Sequence, residues 1–278
     1  MDPQFQRRVQ RYGWDLAVAS YETGWRAQLE PAQSLMLEML ALQPGERALD
    51  VACGTGLVSL RMAEAVSPHG AIVGTDISGR MVEAAADIAA GHGFANVSFE
   101  RADAEELPFP EASFDAAACA LGLMYVPDPI KALAEMRRTL KPGGRAAAAV
   151  WGARANCGWA EIFPITAARV TSEVCPLFFQ LGTGDALAHA FAAAGFAEVR
   201  IERLRTTLHY PTPQAALTAI FEGGPVALAY SRFDAATKQA VHGEYLHSIA
   251  AFQSGDGYRI PGEFVVATAR APLPPTHH

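Results

Sequence analysis

The sequence predicts an α/β protein: a doubly wound, mostly parallel sheet of seven strands with helical insertions laid over it. Three observations predict it. From Arg47 to Trp151, short apolar runs alternate with helix-like segments of about ten residues. The apolar content of the runs fits strands covered on both faces. Acids stand at or just after the ends of the first three, at Asp50, Asp76 and Asp103. That is the rim where an open α/β sheet receives ligands.

The elements follow in order. Residues 5–42 carry helical spacing in two or three pieces, and Gln43-Pro44-Gly45 ends it. Arg47 to Ala52 is a strand and Leu57 to Val66 a helix. Ala71 to Asp76 is a strand, Gly79 to Gly91 a helix, Val97 to Arg101 a strand. Phe114 to Leu121 is a strand, Pro129 to Leu140 a helix, Gly144 to Trp151 a strand. Strands separated by helices pair in parallel through right-handed crossovers. Beyond Trp151 the rhythm changes. Residues 152–183 are mixed and rich in aromatics. Asp185 to Ala194 reads as a helix with an Asp cap, Val199 to Tyr210 as a long strand, 213–254 as helical, and Glu263 to Arg270 as the last strand. The expected organisation is a helical cap over 1–44, a cofactor-binding core over 45–151, a lid insertion over 152–184 and a core continuation over 185–212. A helical substrate lid over 213–256 and a final core strand within 257–272 complete it.

Composition narrows the function. Half the 278 residues are hydrophobic and 18% are charged, which suits a sizeable core. A formal charge of −7 and the lack of a basic run disfavour non-specific nucleic-acid binding. No run of about 18 uncharged apolar residues suggests a membrane span, and no signal-like segment opens the chain. The four cysteines, Cys53, Cys119, Cys157 and Cys175, lack metal spacing and read as reduced thiols of a cytoplasmic protein. The closing Thr276-His277-His278 is assigned no role.

The stretch Asp50-Val51-Ala52-Cys53-Gly54-Thr55-Gly56 holds the chemistry. Glycines at a strand-to-helix turn let backbone come close to a ligand. Asp76 follows Gly56 by 20 residues and ends the next strand, where a carboxylate can accept both hydroxyls of a ribose. A dinucleotide site wants a third glycine where Ser59 stands. S-adenosylmethionine, an adenosine cofactor without phosphate, needs a glycine turn, a ribose acid and a polar contact for adenine. Both cofactors satisfy the ribose acid.

Here the chain resembles a family. LDVACGTGLVSL, VGTDISGRMVEAA and FERADAEELPFPEASFDAAACALGLMYVPDPIKALAEMRRTLKPGGRAAAAVW are similar to class I S-adenosylmethionine-dependent methyltransferases. Within them they resemble the small-molecule branch that includes the ubiquinone/menaquinone-biosynthesis type. The resemblance covers residues 45–151 and implies a Rossmann-like methyltransferase fold with S-adenosylmethionine as cofactor. It implies that Asp50 and the backbone of Ala52, Gly54 and Gly56 hold the methionine part. Asp76 would take the ribose, Ile77 and Met81 would flank the adenine, and Asp103 with Ala104 would meet its amine. Cys119, Leu121 and Met124 would stand beside the methionine and methyl. Tyr12, Trp14 and Tyr21 resemble a segment that closes over the cofactor, with Tyr21 as the contact.

Methyl transfer from a sulfonium is an in-line displacement, so the protein's main task is positioning the acceptor and excluding water. The expected acceptor is a small molecule, apolar or aromatic, walled by Tyr125, Trp151, Trp159, Phe163, Phe179 and Phe221. His209, ending a strand beside Tyr210, is the candidate base; His189, His242, His247 and Glu161 have weaker claims. Three rivals remain: an arsenite-type methyltransferase using Cys119, Cys157 and Cys175, an NAD oxidoreductase, and a non-catalytic cofactor-binding protein.

Overall fold

The computed structural model describes residues 2–170 and 178–274. Its sheet begins with β1 (Arg47–Val51), β2 (Ala71–Asp76), β3 (Val97–Arg101), β4 (Phe114–Ala120) and β5 (Leu140–Trp151). These pair in parallel. β6 (Ala197–Tyr210) and β8 (Gly257–Arg270) join antiparallel, and the two-residue β7 (Gln253–Ser254) hairpins onto β8. The order is β3-β2-β1-β4-β5-β8-β6. The chain winds outward from β1 to β3, then restarts beside β1 with β4. The crevice between β1 and β4 is the switch point of such a sheet.

Several expectations need correction. The N-terminal segment is one helix, α1 (Pro3–Leu40), not two or three pieces. Asp2 caps it by accepting from the Phe5 N–H at 3.0 Å. Pro31 removes one rung without breaking it, because buried Leu29, Ala32 and Met36 hold the helix on both sides. β5 starts at Leu140 rather than Gly144, since Phe114 pairs with Leu140 and the register then shifts across 141–144, where Gly143 has φ +76°. β8 starts at Gly257 rather than Glu263, because β6 carries its ladder back to Tyr210–Tyr258. Pro261 is tolerated there because β5 ends opposite Phe264, leaving no partner for its missing N–H on that side. Finally, Asp185 occupies the cap position of α6 (Ala186–Ala193) but makes no side-chain capping bond.

Between strands lie α2 (Leu57–Ala65), α3 (Gly79–Gly91) and α4 (Pro129–Thr139). Ser78 caps α3 and Asp128 caps α4, each accepting from the backbone N–H three residues on. The later insertions hold the short α5 (Ile162–Ala167), then α7 (Pro213–Leu217), a π turn at Thr218–Glu222, α8 (Ala227–Ser231) and α9 (Ala235–Ser248). The expected helical run over 213–254 is therefore broken. Gly223 and Gly224 break it where the chain meets α1; a Cβ on Gly223 would stand 2.8 Å from the Ser20 carbonyl oxygen.

The core is continuous across the sheet. Ala116–Ala118 on β4 and Ala146–Ala149 on β5 are fully buried and small, and α1 packs over β4 and β5. Among the described residues no helix is long and apolar enough to cross a membrane.

Candidate active site

The turn after β1 is shaped by backbone alone. Ala52, Gly54 and Gly56 have φ of +56°, +55° and +85°. Only glycine adopts that region without cost, so Ala52 stores local strain, as does Leu121 at φ +60° after β4. Both line the same cleft. The two glycines serve different ends. Gly54 lines the cleft under Tyr21, whose ring a Cβ there would meet at 3.7 Å. Gly56 does not line it. A Cβ at Gly56 would press on Phe99 at 3.2 Å and Ala85 at 3.3 Å, so its bareness serves packing.

The three acids stand in three environments. Asp76 lines the cleft and accepts from the Gly54 N–H and the Ser78 N–H, both at 2.9 Å. Burial outweighs those bonds and pushes its carboxyl up to about 6. The carboxylate keeps acceptor capacity for a further donor. Asp50 is fully buried behind the turn and does not line the cleft. One oxygen accepts from the Ser59 hydroxyl at 2.6 Å; the other is buried without a partner. Burial pushes Asp50 up to about 7. Asp103 lines the cleft and pairs with Arg7 of α1 at 2.8 Å. Arg7 also pairs with buried Glu105. Ile77, Met81 and Ala104 line the wall between Asp76 and Asp103.

From this polar end the cleft runs on into an aromatic chamber; together they enclose about 980 Å³, part of it open to solvent. Trp25, Trp151 and Trp159 form its wall, with ring centroids 4.8–6.0 Å apart. Tyr125 meets Trp14 edge-on at 5.1 Å and Phe178 at 5.3 Å. Met124 and Leu121 line the cleft as well. Tyr21 stays protonated, because burial first and the charge of Asp76 next push its phenol upward.

Several expected residues fall elsewhere. Phe163 and Phe179 pack against Trp159 from outside the cleft, at 5.7 Å each. Phe221 is fully buried against Tyr230 and His242, also off the cleft. Tyr12 is half exposed. Cys119 lies behind the wall, and burial holds its thiol up at about 12. His209 is exposed and off the cleft; its role is backbone, giving its N–H to Gln28 at 2.9 Å and accepting from Gln28 at 2.7 Å. Cys53, Cys119 and Cys157 are buried and none lines the cleft, so the described cysteines do not build an arsenite-type thiol site; Cys175 lies outside the described residues.

Sequence reasoning missed Arg7, Gln10, Trp25, Leu29 and Phe178. All but Phe178 sit on α1. With Trp14 and Tyr21 they repeat every three, four or seven positions, one stripe of a single helix. That signal lies in the sequence, but dividing the segment into pieces hides it.

This geometry fits a cofactor with an adenosine and a cationic amino-acid tail. Asp76 offers acceptor capacity to hydroxyls, and the carboxyl of Asp50 lies buried behind the turn. Comparison with known proteins agrees. Residues 42–164 match the family model described as a methyltransferase domain. A ubiquinone/menaquinone biosynthesis C-methyltransferase of Teredinibacter turnerae is 43% identical over 110 residues, 39% of this chain and 44% of that protein. A demethylmenaquinone methyltransferase of Geobacillus kaustophilus is 40% identical over 120 residues, 43% of this chain and 51% of that one. The chain thus spans about half the length of the curated relatives it matches. Among solved structures, the 4+2 cyclase SpnF superposes with a TM-score of 0.58 at 26% identity, covering 90% of this chain and 83% of that one.

Proposed function

We propose, from the similarity of residues 42–164 to a methyltransferase domain, that this chain moves a methyl group from S-adenosylmethionine to a small, planar, apolar acceptor. The observation that carries this reading is a single cleft whose one end holds Gly54 and Asp76 and whose other end is the tryptophan chamber. Bound there, the cofactor supplies a methyl group already activated on a cationic sulfur. Asp76 would bind the ribose hydroxyls while keeping its bonds to Gly54 and Ser78. The turn backbone at Ala52 and Gly54 would hold the ammonium and carboxylate, with Asp50 behind it supplying negative charge. Ile77 and Met81 would bracket the adenine, beside Asp103. Leu121, Met124 and Tyr125 would stand at the reacting centre, with Trp25, Trp151 and Trp159 clamping the acceptor. α1, with the segments 152–184 and 213–256, would act as the lid that excludes water.

The names of the curated relatives support a quinone-like acceptor. A small-molecule acceptor also suits a cleft whose far wall is aromatic. The same reading places the chain in the cytoplasm.

Calorimetry with S-adenosylmethionine, S-adenosylhomocysteine and NAD tests the proposal first. One-to-one binding of the first two, and none of NAD, is the expected outcome. Binding of NAD alone would overturn it. Asp76→Ala should then weaken S-adenosylhomocysteine binding about 10- to 100-fold, the value of one lost charged hydrogen-bond partner.

A further inference from the structure

Helix α1 buries four glutamines, Gln6, Gln10, Gln28 and Gln33. Gln6 gives its amide N–H to the Tyr125 carbonyl at 3.1 Å, and Gln28 is bonded in both directions to the His209 backbone. Of the four, Gln10 alone lines the cleft. It is 7% exposed, and among the described residues its amide has no hydrogen-bond partner. Nor is the amide walled in. The sealed, unpartnered polar atoms include the Trp159 indole nitrogen but neither amide atom of Gln10. Its remaining access opens on the cleft that the residue lines. A buried amide without a partner is a standing penalty that a ligand with the matching donor and acceptor removes.

The place of Gln10 along α1 says which part of the cleft it serves. Arg7, three residues before, reaches Asp103 at 2.8 Å. Trp14, four residues after, meets Tyr125 edge-on at 5.1 Å. Those spacings put the three side chains on one helix face. Gln10 thus stands on the roof that α1 forms, beside Asp103 and across the cleft from Ile77, Met81 and Ala104. Trp25, on the chamber wall, is 15 residues further on, about 22 Å along the helix.

We propose that Gln10 reads the adenine of the cofactor, its amide N–H donating to N7 and its amide oxygen accepting one hydrogen of the N6 amine. This rests on the S-adenosylmethionine reading above. A primary amide carries a donor and an acceptor side by side, the complement of that edge of adenine. The second N6 hydrogen is left for Asp103, which also accepts from Arg7 and from the Glu105 N–H. Core and roof then each hold one edge of the base. A purine with a carbonyl at position 6 would set an acceptor against both the Asp103 and Gln10 oxygens. Turning the amide over does not rescue it, because the amide oxygen then faces N7. Gln10 is a specificity-determining residue for the cofactor and takes no part in the transfer itself.

The test is calorimetry of the full chain with S-adenosylhomocysteine and with its 7-deaza analogue, in which carbon replaces N7 and the N6 amine remains. The wild type should bind the analogue about 5- to 100-fold more weakly, the range of one bidentate contact to a base. Gln10→Leu should weaken the parent ligand by a similar factor and bind the two alike. Gln10→Glu, nearly the same size, keeps an acceptor for N6 but has no donor for N7, and should bind the analogue at least as well as the parent. It gives the same reading if the leucine variant does not fold. Equal binding of the two ligands by the wild type, or an undiminished preference in a folded variant, would overturn the proposal. No binding of S-adenosylhomocysteine by the wild type would sink the cofactor reading instead.

Discussion

Asp50 and Asp76 carry a cost that shows with pH. Both have folded values above the ordinary carboxylate value of 3.8, at about 7 and about 6. The folded chain therefore holds these protons longer than the unfolded chain. Stability is greatest below 3.8 for these two groups and is lost as pH rises through 6 and 7. Urea unfolding of the ligand-free protein should show this fall, and Asp50→Asn should flatten it. A wild type and Asp50→Asn with the same slope between those values would refute the assignment. A cationic ligand beside Asp50 should also flatten the fall, so S-adenosylmethionine should stabilise more at pH 8 than at pH 5. At this scale the sequence was informative where a residue's type already implies a geometry, as with an acid ending a strand. It was silent on which of two glycines faces a ligand, because the neighbours of Gly56, Phe99 and Ala85, come from distant segments. The same gap separates Trp159 on the wall from Phe163 and Phe179 behind it.

At the scale of elements, α1 does most to build the site. Its stripe from Arg7 to Leu29 covers 23 residues, which at about 1.5 Å per residue is about 34 Å of roof. It is pinned at three places. Arg7 pairs with Asp103 and Glu105, Asp15 accepts from the Ser78 hydroxyl at 2.6 Å, and Gly24 sits against Ala219. A Cβ on Gly24 would stand 2.8 Å from both the Cα and the Cβ of Ala219. Gly24→Ala should therefore destabilise the fold by about 1–3 kcal/mol, read from the urea midpoint, despite alanine's better helix propensity. A neutral or stabilising result would mean the helix does not pack this closely. The β-α alternation of 45–151 was readable because each strand and helix carries its own periodicity. The continuity of α1 was not. Pro31 is a local signal to stop, and buried tertiary packing overrides it.

For the whole molecule, the cleft proposed to take both cofactor and acceptor is roofed by α1, so a ligand bound there should tighten that roof. S-adenosylhomocysteine should slow amide hydrogen exchange in α1 over residues 5–29 while leaving β6 and β8 unchanged. Protection spread evenly over the chain would argue for global tightening instead. The seven long strands and the parallel pairing of the first five are legible in the sequence; the strand order and the antiparallel pairing of β6 and β8 are not. The way α1, α7 and the π turn close over the sheet is not, because those contacts join residues far apart in the chain, such as Trp25 and Ala219, 194 positions apart.

The protein has four tryptophans, and all four, Trp14, Trp25, Trp151 and Trp159, line the cleft. Its ultraviolet emission is thus an optical readout of one place. A ligand should quench or shift nearly the entire signal. During denaturation, emission should report the opening of the cleft, and should change at lower urea than circular dichroism if the roof lifts before the sheet melts.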